Sequence, residues 1–365
     1  MDQLIFLYLS IFPAGKILGN LSDFIIIFIS IIFIFENKKF KLNNFSIVCI
    51  FSLIFSLIFF KITELNIGIL YLIRFLSYLI FSEVIYERFG KNKKDINYIF
   101  NKLIIVGIFI AIFGWIQYFL LPDLRFLRNF GWDDHYFRLV STFLDPAFTG
   151  IILVLTEILI IVKTLKNKTK LNYLLNIFLI LTILFTYSRS SYLALFFAII
   201  FLFIKFREKF LLGILILFIL LIPFLPKEPS EGTNLARTYS INQKFINYQE
   251  SITLIEKSPV FGIGFDNLCI AKNKFLNSDN PKSHTCSGLD NSILFIVATT
   301  GIVGLIIFIQ FIYKIIINTK LDLIGWGLMA SFIAIFTHGM FTETFFYNFI
   351  LGWLAILVGI TRSKD

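Results

Sequence analysis

The chain is short of charge. Only 15% of its 365 residues are Asp, Glu, Lys or Arg, against 58% hydrophobic, and its mean hydropathy is +0.84. A soluble domain carries about a quarter charged residues, so these proportions exclude a soluble globule and point to a polytopic membrane protein. Strand-like alternation is missing, which excludes a barrel and leaves α-helices to satisfy the backbone in hydrocarbon. The three histidines, His135, His284 and His338, lack metal-ligand spacing and read as surface or hydrogen-bonded side chains, so no metal and no cofactor is expected. The first apolar run has no basic start and no small-residue cleavage site, so it does not read as a signal peptide. No internal repeat stands out, which weighs against a transporter. Gly262-x-Gly264 has no preceding strand and no third glycine; it reads as a tight turn, not a dinucleotide fingerprint.

What is present is a series of apolar runs joined by short basic links. Twelve spans are expected, at about 4–14, 24–35, 45–60, 67–86, 103–121, 148–162, 171–187, 192–204, 211–225, 292–313, 323–336 and 345–360. The first two are broken around Pro13-Ala14-Gly15 and read as a kinked pair or a re-entrant segment, so eleven or thirteen spans remain alternatives. Links after alternate spans hold the lysines, including Lys38, Lys93, Lys166, Lys205 and Lys320. This bias accounts for the net charge of +10 without nucleic acid, and it expects both termini in the cytoplasm and the bilayer as solvent. Residues 1–226 and 291–365 then form the membrane part. The long polar stretch 227–290 is a large external loop.

The arginines depart from that bias. Arg74 sits inside the fourth span, where an unpaired charge costs at least about 2.5–3.5 kcal/mol, so it reads either as functional or as paired with Glu64 or Glu83. Arg138, Arg189 and Arg237 fall on the face poor in basic residues and suggest a bound anion, since guanidinium groups donate bidentate hydrogen bonds to phosphate. Within the loop, Ser240 to Gln243 reads as a capping box opening an amphipathic helix, with Ile241, Phe245, Tyr248, Ile252 and Ile255 on one face and Lys244 beside it. Cys269 and Cys286 share the loop and are either a disulfide or two thiols.

Three motifs then resemble the O-antigen ligase and O-antigen polymerase family of bacterial inner-membrane proteins. They are Ser188-Arg189-Ser190, the turn Ser258 to Gly264, and Asp290-Asn291 followed, after nine intervening residues, by Gly301-x-x-Gly304. The resemblance implies inverting, metal-independent glycosyl transfer at the outer face of the bacterial cytoplasmic membrane. The implied donor is a saccharide on undecaprenyl pyrophosphate. A flippase and chain-length regulator proteins would be partners. Asp290 stands where a ligase has histidine, which tilts the expectation to a polymerase of repeat units, with a ligase-like transferase as the alternative. On this reading Arg189 and Arg237 stabilise the leaving diphosphate, and Arg138, Lys244 and Arg74 assist in binding. Lys244 stands where family members often place an arginine. Asp290 is the expected base, with Glu343 as the alternative. Taken from the residues alone, Asp290 is equally a helix N-cap.

Overall fold

The computed structural model describes residues 1–37, 42–62, 65–130, 135–227, 230–276 and 288–363. Among these the chain is helical: α1 (Asp2–Ile11), α2 (Gly19–Asn37), α3 (Asn44–Phe60), α4 (Asn66–Ile85), α5 (Lys93–Leu120), α6 (Pro146–Lys166), α7 (Lys170–Leu184), α8 (Arg189–Phe206), α9 (Lys209–Leu221), α10 (Tyr239–Lys257), α11 (Leu268–Leu276), α12 (Ser292–Ile317), α13 (Leu323–Gly339) and α14 (Asn348–Thr361). Two isolated bridges, Asp123–Tyr136 and Thr319–Arg362, are the extended pairings among these residues. Six stretches are long and apolar enough to cross a bilayer, and five shorter apolar helices accompany them. These lengths support a polytopic membrane chain without fixing the expected count of twelve spans.

Helix starts follow from local side chains. Oxygens of Asn43, Asn92, Asp145, Ser188, Asn291 and Asp322 each accept a backbone N–H of the first turn. α5 begins about ten residues earlier than expected, because the polar stretch from Lys93 is helical from its Asn92 cap. α6 lies at the centre, almost wholly buried against α5, α7, α8 and α13.

The start of α1 and the end of α14 lie on one face. Asp2, opening α1, and Glu36, near the end of α2, both pair with Arg88, at 4.0 and 3.7 Å. A straight helix would hold those carboxylates about 50 Å apart, so α1 and α2 fold back as a hairpin. The reversal is at Gly15, whose φ of 55° and ψ of −135° break the helix. Arg362, after α14, pairs with Glu83 at 2.6 Å on the same face. Glu83 is thus taken and does not pair with Arg74; Glu64 lies outside the described residues. The partner of Arg74 is Asp23 of α2, at 2.7 Å.

On the other face, the turn 258–264 inserts into α12. Gly301 interrupts that helix with φ 72° and ψ −176°. An unbroken helix would join the Ile302 and Val303 N–H groups to the carbonyls of Ala298 and Thr299. Here those carbonyls accept the N–H groups of Ile263 (2.9 Å) and Gly264 (3.0 Å), while Ile302 and Val303 donate to Pro259 (2.9 Å) and Val260 (3.4 Å). The two backbones pass so closely that a Cβ on Gly301 would lie 2.0 Å from the Val260 oxygen, and one on Gly262 2.3 Å from the Thr299 carbonyl carbon. The tight turn expected from Gly262-x-Gly264 is therefore also a docking element, and the spacing from Asn291 to Gly301 sets where it docks.

Candidate active site

A cavity of about 820 Å³ opens on the loop-bearing face between the α1–α2 reversal, α4, the start of α6 and the turn 340–347. Its walls carry five charged side chains: Lys16, Arg74, Asp145, Asp290 and Glu343. Arg74 lies eight residues past Asn66, about 12 Å down the axis of α4. Asp23 and the Tyr71 ring, 4.6 Å from the guanidinium, fix it in place. Asp23 also accepts the Tyr78 hydroxyl at 2.8 Å, so the ion pair belongs to a buried polar network.

Asp290 is positioned by α10. Its backbone N–H donates to Asn247 Oδ1 at 2.8 Å, and its Oδ1 receives Lys244 Nζ at 3.1 Å. Lys244 also donates to the Phe341 carbonyl. The cap of α12 is Asn291, whose Oδ1 accepts the N–H groups of Ile293 (2.8 Å) and Leu294 (3.1 Å). The capping expectation for Asp290 is thus corrected by one residue, and the carboxylate faces the cavity instead. Asn291 Nδ2 donates to the Met340 carbonyl, and Ser292 Oγ accepts the Thr344 N–H. These bonds hold the turn bearing Glu343 against Asp290. Burial first, and then the neighbouring Asp266, push the Glu343 carboxyl well above its ordinary range, while the Leu289 N–H and Lys272 oppose this. Asp266 is itself buried and raised by that burial, with Arg74 pulling it back.

The other three arginines gather elsewhere. Arg138 donates to the carbonyls of Thr186 (3.1 Å) and Tyr187 (3.3 Å), and Arg237 reaches the Tyr187 carbonyl at 3.4 Å and that of Gly232 at 2.8 Å. Arg189 donates to the carbonyls of Leu235 (3.3 Å) and Arg237 (3.0 Å) and to Ser240 Oγ (2.8 Å). Burial and the Arg237 charge push the Arg138 pKa down. None of the three is among the cavity's lining residues. The structure therefore brings Asp290, Glu343 and Arg74 together, with Lys244 at the rim, and it joins Arg138, Arg189 and Arg237 as a separate cluster around the turn 186–188.

The loop helix differs from its expectation. Ser240 does not open α10 as a cap, because its hydroxyl receives Arg189; Thr238 precedes the helix without a side-chain cap bond. The buried side runs through Ser251 and Leu254, while Ile241, Phe245 and Ile252 of the expected stripe are exposed. Cys269 is disulfide-bonded, and Cys286, its expected partner, lies outside the described residues, as does His284.

Residues 174–309 match the family described as O-antigen ligase. The match runs from α7 through the loop, α10, α11 and the break in α12, so it contains Arg189, Arg237, Lys244, Asp266 and Asp290. No curated protein matches the chain. Over that stretch the chain is similar to the O-antigen ligase family, and its long apolar helices agree with a membrane protein. Lys16 and Asp145 were missed as cavity residues, and so was Asp266, the buried carboxyl that acts on Glu343. Lys16 had a signal in the sequence: it follows the Pro13-Ala14-Gly15 break, in the short link between the first two expected spans.

Proposed function

We propose that this protein polymerises lipid-linked oligosaccharide repeat units of a surface polysaccharide at the loop-bearing face of a bacterial inner membrane. The O-antigen ligase match over residues 174–309 carries this reading. Asp290 and Glu343, two carboxyl groups on adjacent segments of one cavity, supply its chemistry. The acceptor hydroxyl gives its proton to the Asp290 carboxylate as its oxygen bonds to the anomeric carbon. The bond from that carbon to the diphosphate breaks, and the electron pair leaves with the diphosphate. Lys244, 3.1 Å from Asp290, orients the carboxylate toward the acceptor. Arg189 and Arg237 order the loop around the donor and Arg138 closes its base, while Arg74 faces the substrate. The donor is a saccharide on undecaprenyl pyrophosphate, and a flippase and a chain-length regulator are its partners.

A ligase-like transfer to another lipid or to protein is the second reading, favoured by the description of the matching family. Asp290 in the histidine position of the ligase signature favours the polymerase. Purified protein with lipid-linked repeat units as both donor and acceptor decides between them. A ladder of lengthening lipid-linked chains is expected. Transfer only when a different acceptor is added would replace the polymerase by the ligase-like enzyme.

A further inference from the structure

α10 has three sides. On a regular helix, Asn247, Ser251 and Leu254 share the side turned to the bundle: Ser251 and Leu254 are buried, and Asn247 holds Asp290. Ile241, Phe245 and Ile252 share a second side, about 130° round from the first, and all three are exposed, Phe245 at 62%. Asn242, Gln243 and Lys257, also exposed, share the third. Water on both open sides would leave the second unexplained, because a contiguous exposed apolar row marks a contact.

The turn that follows α10 shows how deep this end of the helix sits. It docks at Gly301, nine residues past Ser292 and so about 14 Å along α12 from the loop-bearing end. Phe261, in that turn, packs on Phe51 and Phe55 of α3, with ring centroids 5.3 and 5.2 Å apart. α3 ends on the same face, since Lys274 of α11 donates to the Phe60 carbonyl. Phe51 lies nine residues before Phe60, again about 14 Å down. The two helices thus give the same depth. Val260 and Phe261 are exposed there, as are Ile302 of α12 and Phe51 of α3.

We propose that the large loop is seated in the bilayer: the apolar side of α10 and the turn 258–264 contact the acyl chains of the leaflet on the loop-bearing side. This stands whichever transfer reaction the cavity performs. The occupant is hydrocarbon because the apolar row runs on through Val260 and Phe261 to the exposed sides of α3 and α12, two apolar helices of the bundle. The backbone meets the condition that such depth sets. Irregular backbone at membrane depth must have its polar groups paired, and the turn pairs Pro259, Val260, Ile263 and Gly264 with the broken ladder of α12. A helix with protein, acyl chains and water on its three sides lies in the interface, its apolar side about 5–10 Å into the boundary between headgroups and chains. Lys244 and Asn247 of this helix hold Asp290, so the bilayer becomes part of what positions that carboxylate.

The test uses full-length protein in nanodiscs whose phospholipid carries a radiolabel in its acyl chains. A benzophenone amino acid is placed singly at positions 245, 252 and 261, and at 243 and 246 for comparison. Ile246 is the sharper control, because it is apolar and 50% exposed yet lies among the polar residues of the third side. Labelled lipid adducts are expected from 245, 252 and 261 at a yield at least about tenfold above that from 243 and 246, since acyl chains do not reach the water side. Equal yields from 245, 252 and 246 would overturn the seat. Adducts joining two copies of the chain from 245 and 252, in place of lipid adducts, would overturn it too, by making this side a contact between protomers. A second measurement is hydrogen exchange in the same nanodiscs. Phe245→Glu combined with Ile252→Glu should speed exchange of the amides of 241–257 at least about tenfold, whereas Ile246→Glu leaves it as in the wild type. A double change that moves exchange no more than Ile246→Glu would count against the bilayer as the partner. Neither readout is activity, so a failure here leaves the polymerase reading to its own assay.

Discussion

Arg138, Arg189 and Arg237 meet around the carbonyls of Thr186 and Tyr187, where α7 hands over to α8; Arg74 and Lys16 meet on the wall of an open cavity. The first three donate to peptide oxygens from segments far apart in sequence, so they act as stitches between the large loop and the bundle. The second pair is anchored from behind, by Asp23 and Tyr71, with the front of the guanidinium turned to the cavity. Equal residue types thus stand in different surroundings, and the difference is which acceptors the fold already provides. A count of arginines on one face cannot reveal that.

Breaking the comparison starts with the largest effect. Asp290→Asn keeps size and removes the proton acceptor, so chain growth should fall about 100-fold or more. Trypsin sensitivity of the loop should stay as in wild type, because Asn291 holds the cap. Near-normal growth would hand the base to Glu343. Arg189→Ala should show the opposite pattern. Its three hydrogen bonds hold residues 235–240; their loss, at about 0.5–1.5 kcal/mol each, should raise cleavage in the loop at least about tenfold. Growth should decline in step. Abolished growth with an unchanged cleavage pattern would make Arg189 a substrate ligand and erase the contrast between the clusters.

The smallest effect concerns the carboxyl behind the cavity. Burial raises Asp266 in the folded protein above its ordinary range. The folded state then binds more protons than the unfolded one, so this contribution is complete below the ordinary carboxylate range of about 4 and is lost as pH rises through the raised value. The melting temperature in detergent should therefore decline toward alkaline pH, and Asp266→Asn should flatten that decline. An identical slope in the variant would show that Asp266 does not titrate in that range.

The class of fold and the site's neighbourhood were legible in the sequence because both depend on local pattern: apolar length gives the helices, and short motifs mark Arg189, the turn 258–264 and Asp290. The partition of the site was not. Arg74 pairs with Asp23, fifty-one positions away on α2, and no spacing rule links them. Asn291 instead of Asp290 caps α12, a difference of one residue that only the backbone geometry decides. The rotation of α10 escaped for a related reason. Its apolar stripe is real, but on its neighbouring side Ser240 receives Arg189 and Lys244 reaches Asp290, while Phe245 and Ile252 are exposed.

The exchange of backbone hydrogen bonds at Gly301 bears on what can be cut and transplanted. A chimera joined at the edges of the polar stretch, near 227 and 290, would separate the turn 258–264 from the helix whose broken ladder it completes. It would strand the amides of Ile302 and Val303 and the carbonyls of Ala298 and Thr299 where water is scarce. The smallest portable piece must therefore keep residues 258–303 together. The family match, ending at 309, encloses that piece whole. The loop and the first half of α12 behave as a single graft, although one is polar and the other apolar.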